Sequence, residues 1–290
     1  MRKISVKTIT DVVAELAIKA NISLRKDVLR ALKKALRSEK NLRAKKVLQI
    51  LIDNATTAEK TGVAICQDTG MAVVFCDIGN EVEVAGDIGK AINEGIKLGY
   101  KKGFLRKSVV SDPLIRKNTN TNTPCIVHYN MSMGKKLKLT VLPKGFGSEN
   151  ASRVVMLGPT EGEEAIVDLV VNTVKESGAD ACPPLVVGVG IGGTLDKAAE
   201  IAKKATLRPI DKSNPKKHLA ALEKKILLKL NKTGIGPAGL GGKTTCLGVN
   251  IESFPTHIAG LPVCVNISCH AMRSASKTLG TVPTKKNYSA

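Results

Sequence analysis

Apolar residues recur three and four positions apart over the first sixty residues. Leu24, Val28, Leu32 and Leu36 form one stripe behind Ser23, and Val47, Leu48, Leu51, Ile52 and Ala55 form another behind Asn41. That spacing predicts amphipathic helices with Ser23 and Asn41 as N-caps. A turn-rich loop, Cys66-Gln67-Asp68-Thr69-Gly70, leads into an apolar run over 71–78 that reads as a strand, and 87–102 reads as a helix. Residues 116–124, RKNTNTNTP, are hydrogen-bonding side chains that compete with a helical backbone, so no helix interior is expected there. Strands follow near 125–131 and 136–142, then a loop at 144–150, a helix at 160–177, a strand at 185–189 and a glycine-rich turn. Helices near 194–205 and 215–231, a glycine loop at 234–243 and strands near 244–251 and 262–268 complete the pattern. The order predicts an α+β (mixed α/β) fold, with a helical N-terminal subdomain over 1–60 and a sheet-and-helix domain over 61–290.

Composition narrows the class. With 290 residues and 43% hydrophobic content, the chain can bury a core without disulfide staples and is not disordered. No window approaches the roughly 18 apolar residues of a membrane span, and Lys7, Asp11 and Glu15 interrupt the region where a signal peptide needs its apolar run. A cytoplasmic protein with no membrane partner is expected.

The formal net charge of +20 suits phosphate neutralisation on a nucleic acid. It suits a lysine-rich solvated surface equally, and Lys33, Lys34, Lys216, Lys217, Lys224 and Lys225 fall on polar helix faces. The sequence holds no RRM-like aromatic pair, zinc finger or basic heptad region, so no nucleic-acid partner is expected; a basic nucleic-acid-binding or scaffold protein is the alternative from another class.

Two glycine clusters resemble phosphate cradles. GVGIGG at 188–193 matches G-x-G-x-x-G, but no second strand ending in an acid follows, because Pro209 breaks residues 206–211. PAGLGGKT at 237–244 lacks the first glycine of a P-loop and lies between a helix and a strand in the reverse order. The seven cysteines carry more. Cys76, Cys125, Cys246 and Cys264 lie in apolar strand-like runs, where a thiol acts as a small hydrophobe. Cys66, Cys182 and Cys269 stand at boundaries between apolar elements and loops: ICQDTG, ACPP and ISCHAM. Spacing alone leaves open whether these three converge on a metal.

The segments ICQDTG (65–70), LRKS with NTNTNTP (105–124), KGFGSEN (144–150), ACPP with GVGIGGT (181–194), GLGGKTT (239–245) and H-x11-C (257–269) occur in the order seen in class I, iron–sulfur-dependent fumarate hydratases, whose pattern L-tartrate dehydratases share. The chain resembles the separate alpha subunit of the two-subunit type. The resemblance implies a [4Fe–4S] cluster on Cys66, Cys182 and Cys269, with the fourth iron left open as a Lewis acid toward substrate. It implies a hydro-lyase interconverting fumarate and L-malate, a step of the tricarboxylic acid cycle, or alternatively one converting L-tartrate to oxaloacetate. It further implies Asp68 and His257 as catalytic residues, and Gln67, Arg106 and Gly145 as substrate-binding residues, with Arg116 as an alternative carboxylate clamp. The implied partner is a beta subunit supplying the catalytic base, in an α2β2 heterotetramer. Phe146 departs from the family's Lys-Gly-Gly-Gly-Ser and questions the geometry of that loop, since phenylalanine lacks glycine's conformational range.

Overall fold

The structure, a computed structural model, describes residues 2–280. In chain order the elements begin with β1 (Arg2–Ser5), α1 (Val6–Ile22), α2 (Lys26–Ser38), α3 (Leu42–Thr61), β2 (Met71–Gly79), β3 (Val82–Ala85) and α4 (Ile88–Lys102). They continue with β4 (Ile126–Ser132), β5 (Leu137–Lys144), the single turn α5 (Phe146–Glu149), β6 (Arg153–Leu157), α6 (Gly162–Ser177) and β7 (Leu185–Gly192). The remainder is α7 (Leu195–Ala205), α8 (Lys217–Asn231), a 3-10 turn at Pro237–Gly239, β8 (Cys246–Phe254), β9 (Leu261–Ser268) and β10 (Ala275–Leu279). Helices and mixed sheets make this the expected α+β class. Strands β1, β3, β6 and β10 were not among the sequence expectations, and α5 lies where only a loop was expected.

The fold divides into two compact units. Of the described residues, the first comprises 2–21, 69–143 and 273–280, and the second comprises 22–68 and 144–272. These units cut across residue 60: α1 lies almost wholly in the first, α2 and α3 in the second.

In the first unit a four-stranded sheet runs β10-β5-β2-β4, and β1 pairs with β3 in parallel. Helices α1 and α4 pack closely. A Cβ on Gly95 of α4 would lie 2.7 Å from the Val13 side chain, and one on Gly99 would lie 2.9 Å from the Ala14 carbonyl oxygen. The polar 105–124 segment is a loop held by its own side chains. Buried Asn122 accepts from the Ser108 N–H at 2.8 Å and donates to the Gly70 carbonyl at 3.1 Å, while Asn118 donates to the Lys107 carbonyl at 2.8 Å. Asn120 and Asn122 adopt positive φ, which asparagine tolerates better than most residues.

The second unit is built on the sheet β6-β9-β7-β8. β7 runs parallel to β8 and antiparallel to β9, with Val186 opposite Ser268 and Ile191 opposite Val263. Leu185, Val187 and Val189 face a core shared with Val167 and Val170 of α6 and Ile226 of α8. The opposite face takes α7, whose Ala198 and Ala202 pack against Cys264. The glycine-rich run expected as a turn is largely strand, and the reason is α7. A Cβ on Gly188 would lie 2.2 Å from the Ala202 carbonyl oxygen, and one on Gly190 would lie 2.1 Å from that of Ala198. These glycines admit the backbone of a helix.

Helix α3 begins at Asn41, whose side chain accepts from the Ala44 N–H at 3.1 Å, as expected. Ser23 caps nothing, because α2 starts three residues later, behind Arg25. Arg25 is held instead by Asp27 and by the carbonyls of Thr206 and Arg208, so a tertiary network sets this helix start.

Candidate active site

Three cysteines of the second unit, Cys66, Cys182 and Cys269, stand at the ends of its elements. Cys66 follows α3, which ends at Gly62 in the left-handed conformation (φ 70°), and the Asn54 side chain holds the Ile65 carbonyl at 2.8 Å. Cys182 stands three residues before β7, and Cys269 directly follows β9. Because β7 and β9 are antiparallel, both cysteines emerge at the same end of the sheet. The Cys182 backbone is left-handed (φ 54°), a conformation costing a non-glycine residue about 1–2 kcal/mol.

Its surroundings hold it there. The Cys182 carbonyl accepts from the His270 N–H at 3.2 Å and lies 3.0 Å from His270 Nδ1. The next carbonyl, of Pro183, accepts from the Ala238 N–H at 2.8 Å, and the Leu185 N–H donates to the Thr245 carbonyl at 2.8 Å. The 234–245 glycine loop thus buttresses the Cys182 turn. Buried Glu39 anchors that loop in turn, accepting the Lys243 N–H at 2.7 Å.

Cys182 is exposed, while Cys66 and Cys269 are half-buried. Packing around Cys182 and, after it, the charges of Cys269, Cys66 and Asp180 push its thiol above the ordinary range. Cys182 therefore lies within electrostatic reach of both Cys269 and Cys66. Among the described residues no three His, Cys, Asp or Glu side chains gather tightly enough to chelate a single ion. The other four cysteines are buried. Desolvation pushes Cys76 and Cys246 up to about 12 and Cys125 and Cys264 up to about 11, so they remain thiols in the core.

Gln67 stands beside the first cysteine, with Cys66 Sγ 3.2 Å from its Oε1. Asp68 Oδ2 accepts the Phe146 N–H at 2.8 Å, and a Cβ on Gly145 would lie 3.2 Å from the same oxygen. Gly145, Phe146 and Asp68 thus form one constellation. Phe146 opens α5 and is not among the positive-φ residues, so its place in the loop requires no glycine. Its ring is 48% exposed.

Beneath this loop lies a buried ionic network that sequence reasoning missed. Lys144, 3% exposed, donates to Ser148 Oγ at 2.9 Å and pairs with Glu149 at 3.2 Å. Glu149 also pairs with Lys203 of α7 and accepts from Asn266 of β9 at 3.0 Å. Burial pushes the Lys144 ammonium down to about 8, against the opposing pull of Glu149 and then of Cys269. Burial would raise the Glu149 carboxyl, but Lys144 and Lys203 bring it down to about 2. The only trace of this network in the sequence is a lysine closing an otherwise apolar run, TVLPK, five residues before a glutamate.

Arg106 and Arg116 belong to the first unit, and both are exposed. The Thr69 hydroxyl donates to the Arg106 carbonyl at 2.7 Å, which fixes the backbone that carries this side chain. Arg116 sits at φ 60° in a turn closed by its N–H to the Asp112 carbonyl at 2.9 Å. His257 is not brought to the thiols. It lies between β8 and β9, at the end of the sheet opposite Cys182 and Cys269, separated by about 23 Å of strand. There it closes a local turn, its Nδ1 accepting the Ala259 N–H at 3.2 Å. The histidine beside the thiols is His270.

The sequence model of the family described as fumarate hydratase (Fumerase) matches residues 10–278. The chain belongs to this family, one of hydro-lyases. It is 44% identical over 280 residues to a Methanocaldococcus jannaschii protein named "Putative L(+)-tartrate dehydratase subunit alpha", a match spanning 93% of this chain and 97% of that one. The L(+)-tartrate dehydratase subunit alpha of Escherichia coli (strain UTI89 / UPEC) is 30% identical over 288 residues, 98% of this chain and 95% of its own. This member matches full-length chains named as alpha subunits. Among the described residues no helix is long and apolar enough to cross a membrane.

Proposed function

We propose that this chain is the alpha subunit of an L(+)-tartrate dehydratase, acting with a beta subunit in an α2β2 assembly. The observation that carries the choice of substrate is the near end-to-end match to two chains of that name, one of them 44% identical. Cys66, Cys182 and Cys269 are proposed to hold a [4Fe–4S] cluster. Soft thiolates suit iron, and a Cys182 that feels the charges of Cys269 and Cys66 without the three converging on one point suits ligands to separate irons of a cluster. Such a cluster supplies, when bound, an open Lewis-acidic iron toward the hydroxyl that leaves the substrate.

The chain's own residues then bind and orient. Gln67 presents its side-chain amide beside Cys66. Asp68, steered by the Phe146 N–H, is the proposed proton carrier for the departing hydroxyl. Gly145 leaves the space that this carboxylate occupies. Arg106 is the proposed carboxylate clamp, because a guanidinium fork can bind a carboxylate through two parallel hydrogen bonds. The beta subunit is proposed to supply the base that removes the carbon-bound proton.

A second reading, fumarate hydration to L-malate, is favoured by the description of the family itself. The two substrates differ by one hydroxyl, a difference that a site built to hydrogen-bond it can enforce strongly. The deciding measurement is kcat/KM of the anaerobically reconstituted α–β pair. We expect L-tartrate to exceed L-malate and fumarate by tenfold or more, and the reverse order selects the second reading. Cys182→Ala is expected to abolish bound iron and sulfide; a full complement in that variant would refute the ligand assignment.

A further inference from the structure

The network under the 145–148 loop has a charge imbalance. Lys144 and Lys203 are two cations and Glu149 is their one shared carboxylate, which leaves one positive charge in excess. The network is tied to the strand that presents the third cysteine. Asn266, three residues before Cys269, donates to Glu149 Oε2 at 3.0 Å, and the Ile267 N–H donates to Ser152 Oγ at 3.0 Å. The Glu149 end of α5 is thereby pinned to β9 three residues before Cys269.

We infer that Lys144, Glu149 and Lys203 form a positioning and charge-setting triad, whose surplus positive charge stabilises the negative charge of a cluster on Cys269. A buried lysine has a strong desolvation cost, and one carboxylate shared between two cations offsets only part of it. A cluster on three thiolates is the complementary anion. The Lys144 ammonium is already within the electrostatic range of Cys269. The same side chain, through Ser148 and the Gly145 carbonyl (3.3 Å), shapes the loop whose next N–H holds Asp68. One cation therefore serves both the cofactor and the acid–base carboxylate.

This inference rests on the cluster reading, and the two fail differently. The test is midpoint potential, by EPR-monitored redox titration of the anaerobically purified α–β holoenzyme, with iron and sulfide analysis on each sample. Net charge near a cluster moves its potential, since the reduced cluster carries one more electron. Lys144→Met and Lys203→Met each remove one positive charge and are expected to shift the potential downward at unchanged iron content. Glu149→Gln removes the one negative charge and, titrated at pH 6 so that Lys144 stays protonated without that partner, is expected to shift it upward. A purely structural role cannot produce opposite signs. No shift in any variant, or shifts of a single sign, would overturn the inference. Should Lys144→Met fail to load, Lys203→Met and Glu149→Gln decide by the same criterion. Absence of iron and sulfide from the wild-type holoenzyme would instead refute the cluster reading, before any variant is compared.

Discussion

The carboxylate of Asp68 has its place because residue 145 has no side chain. The hydrogen bond from the Phe146 N–H pulls Oδ2 to 2.8 Å, and the space it enters is that of a Cβ on Gly145, 3.2 Å away. A methyl group there forces the carboxylate to give by a few tenths of an ångström and touches little else. Displacements of that order at a reacting group cost about tenfold in rate. Gly145→Ala is therefore expected to lower kcat about tenfold while leaving the denaturation midpoint nearly unchanged. Equal losses in rate and stability would assign Gly145 to the fold. The phenylalanine next to it, which departs from the family motif, contributes to this arrangement through its backbone N–H, a group that every residue except proline supplies.

At the scale of elements, α7 lies against β7 because Gly188 and Gly190 let the helix carbonyls approach the strand backbone. Gly190→Ala places its new methyl 2.1 Å from the Ala198 oxygen and 2.7 Å from the Ala202 nitrogen, so the helix must move. A loss of about 3 kcal/mol in chemical denaturation is expected, the upper range for overpacking. Gly147→Ala, with nothing within 4 Å, is the control. The same glycines explain what the sequence could show and what it could not. Asn41 announces α3 because its cap is satisfied three residues away, whereas Ser23 misleads because Arg25, bonded to residues more than 180 positions distant, sets the start of α2. Strands β1 and β3, four residues each, exist through pairing with each other and lack an alternating pattern long enough to detect. The loop cysteines were legible as a class apart from the core cysteines, because loop and apolar contexts differ along the chain. Their relative placement, the position of His257 and the Lys144–Glu149–Lys203 triad were not legible, since each depends on pairings between elements far apart in the sequence.

For the molecule as a whole, the +20 charge moves from a candidate function to a setting. Positive potential attracts a dicarboxylate to its site. Its counterpart is a small set of carboxylates held ionised inside the second unit. Glu149 is brought down to about 2 as described. Asp27 and Glu39 are also lowered, burial opposing and being outweighed, by Arg25 for Asp27 and by backbone N–H groups for Glu39. Each ionises more readily folded than unfolded, so each contributes stability above its ordinary carboxyl range and loses it as the pH falls toward the folded value. The urea midpoint is expected to be flat from pH 7 to about 5 and to fall steeply from about 4.5 toward 2. Glu149→Gln should flatten that fall, and an unchanged acid limb would show that the fall has another origin.

The antiparallel register of β7 and β9 also sets an order of assembly. Cys182 and Cys269 share one end of the sheet only once Val186 faces Ser268, and β9 is the last strand of its sheet to leave the ribosome. Until it pairs, the three loop thiols are separate points on an open chain, and no binding site exists. Any metal centre that uses all three thiols therefore depends on this pairing, and its binding energy is coupled to the folding of the unit.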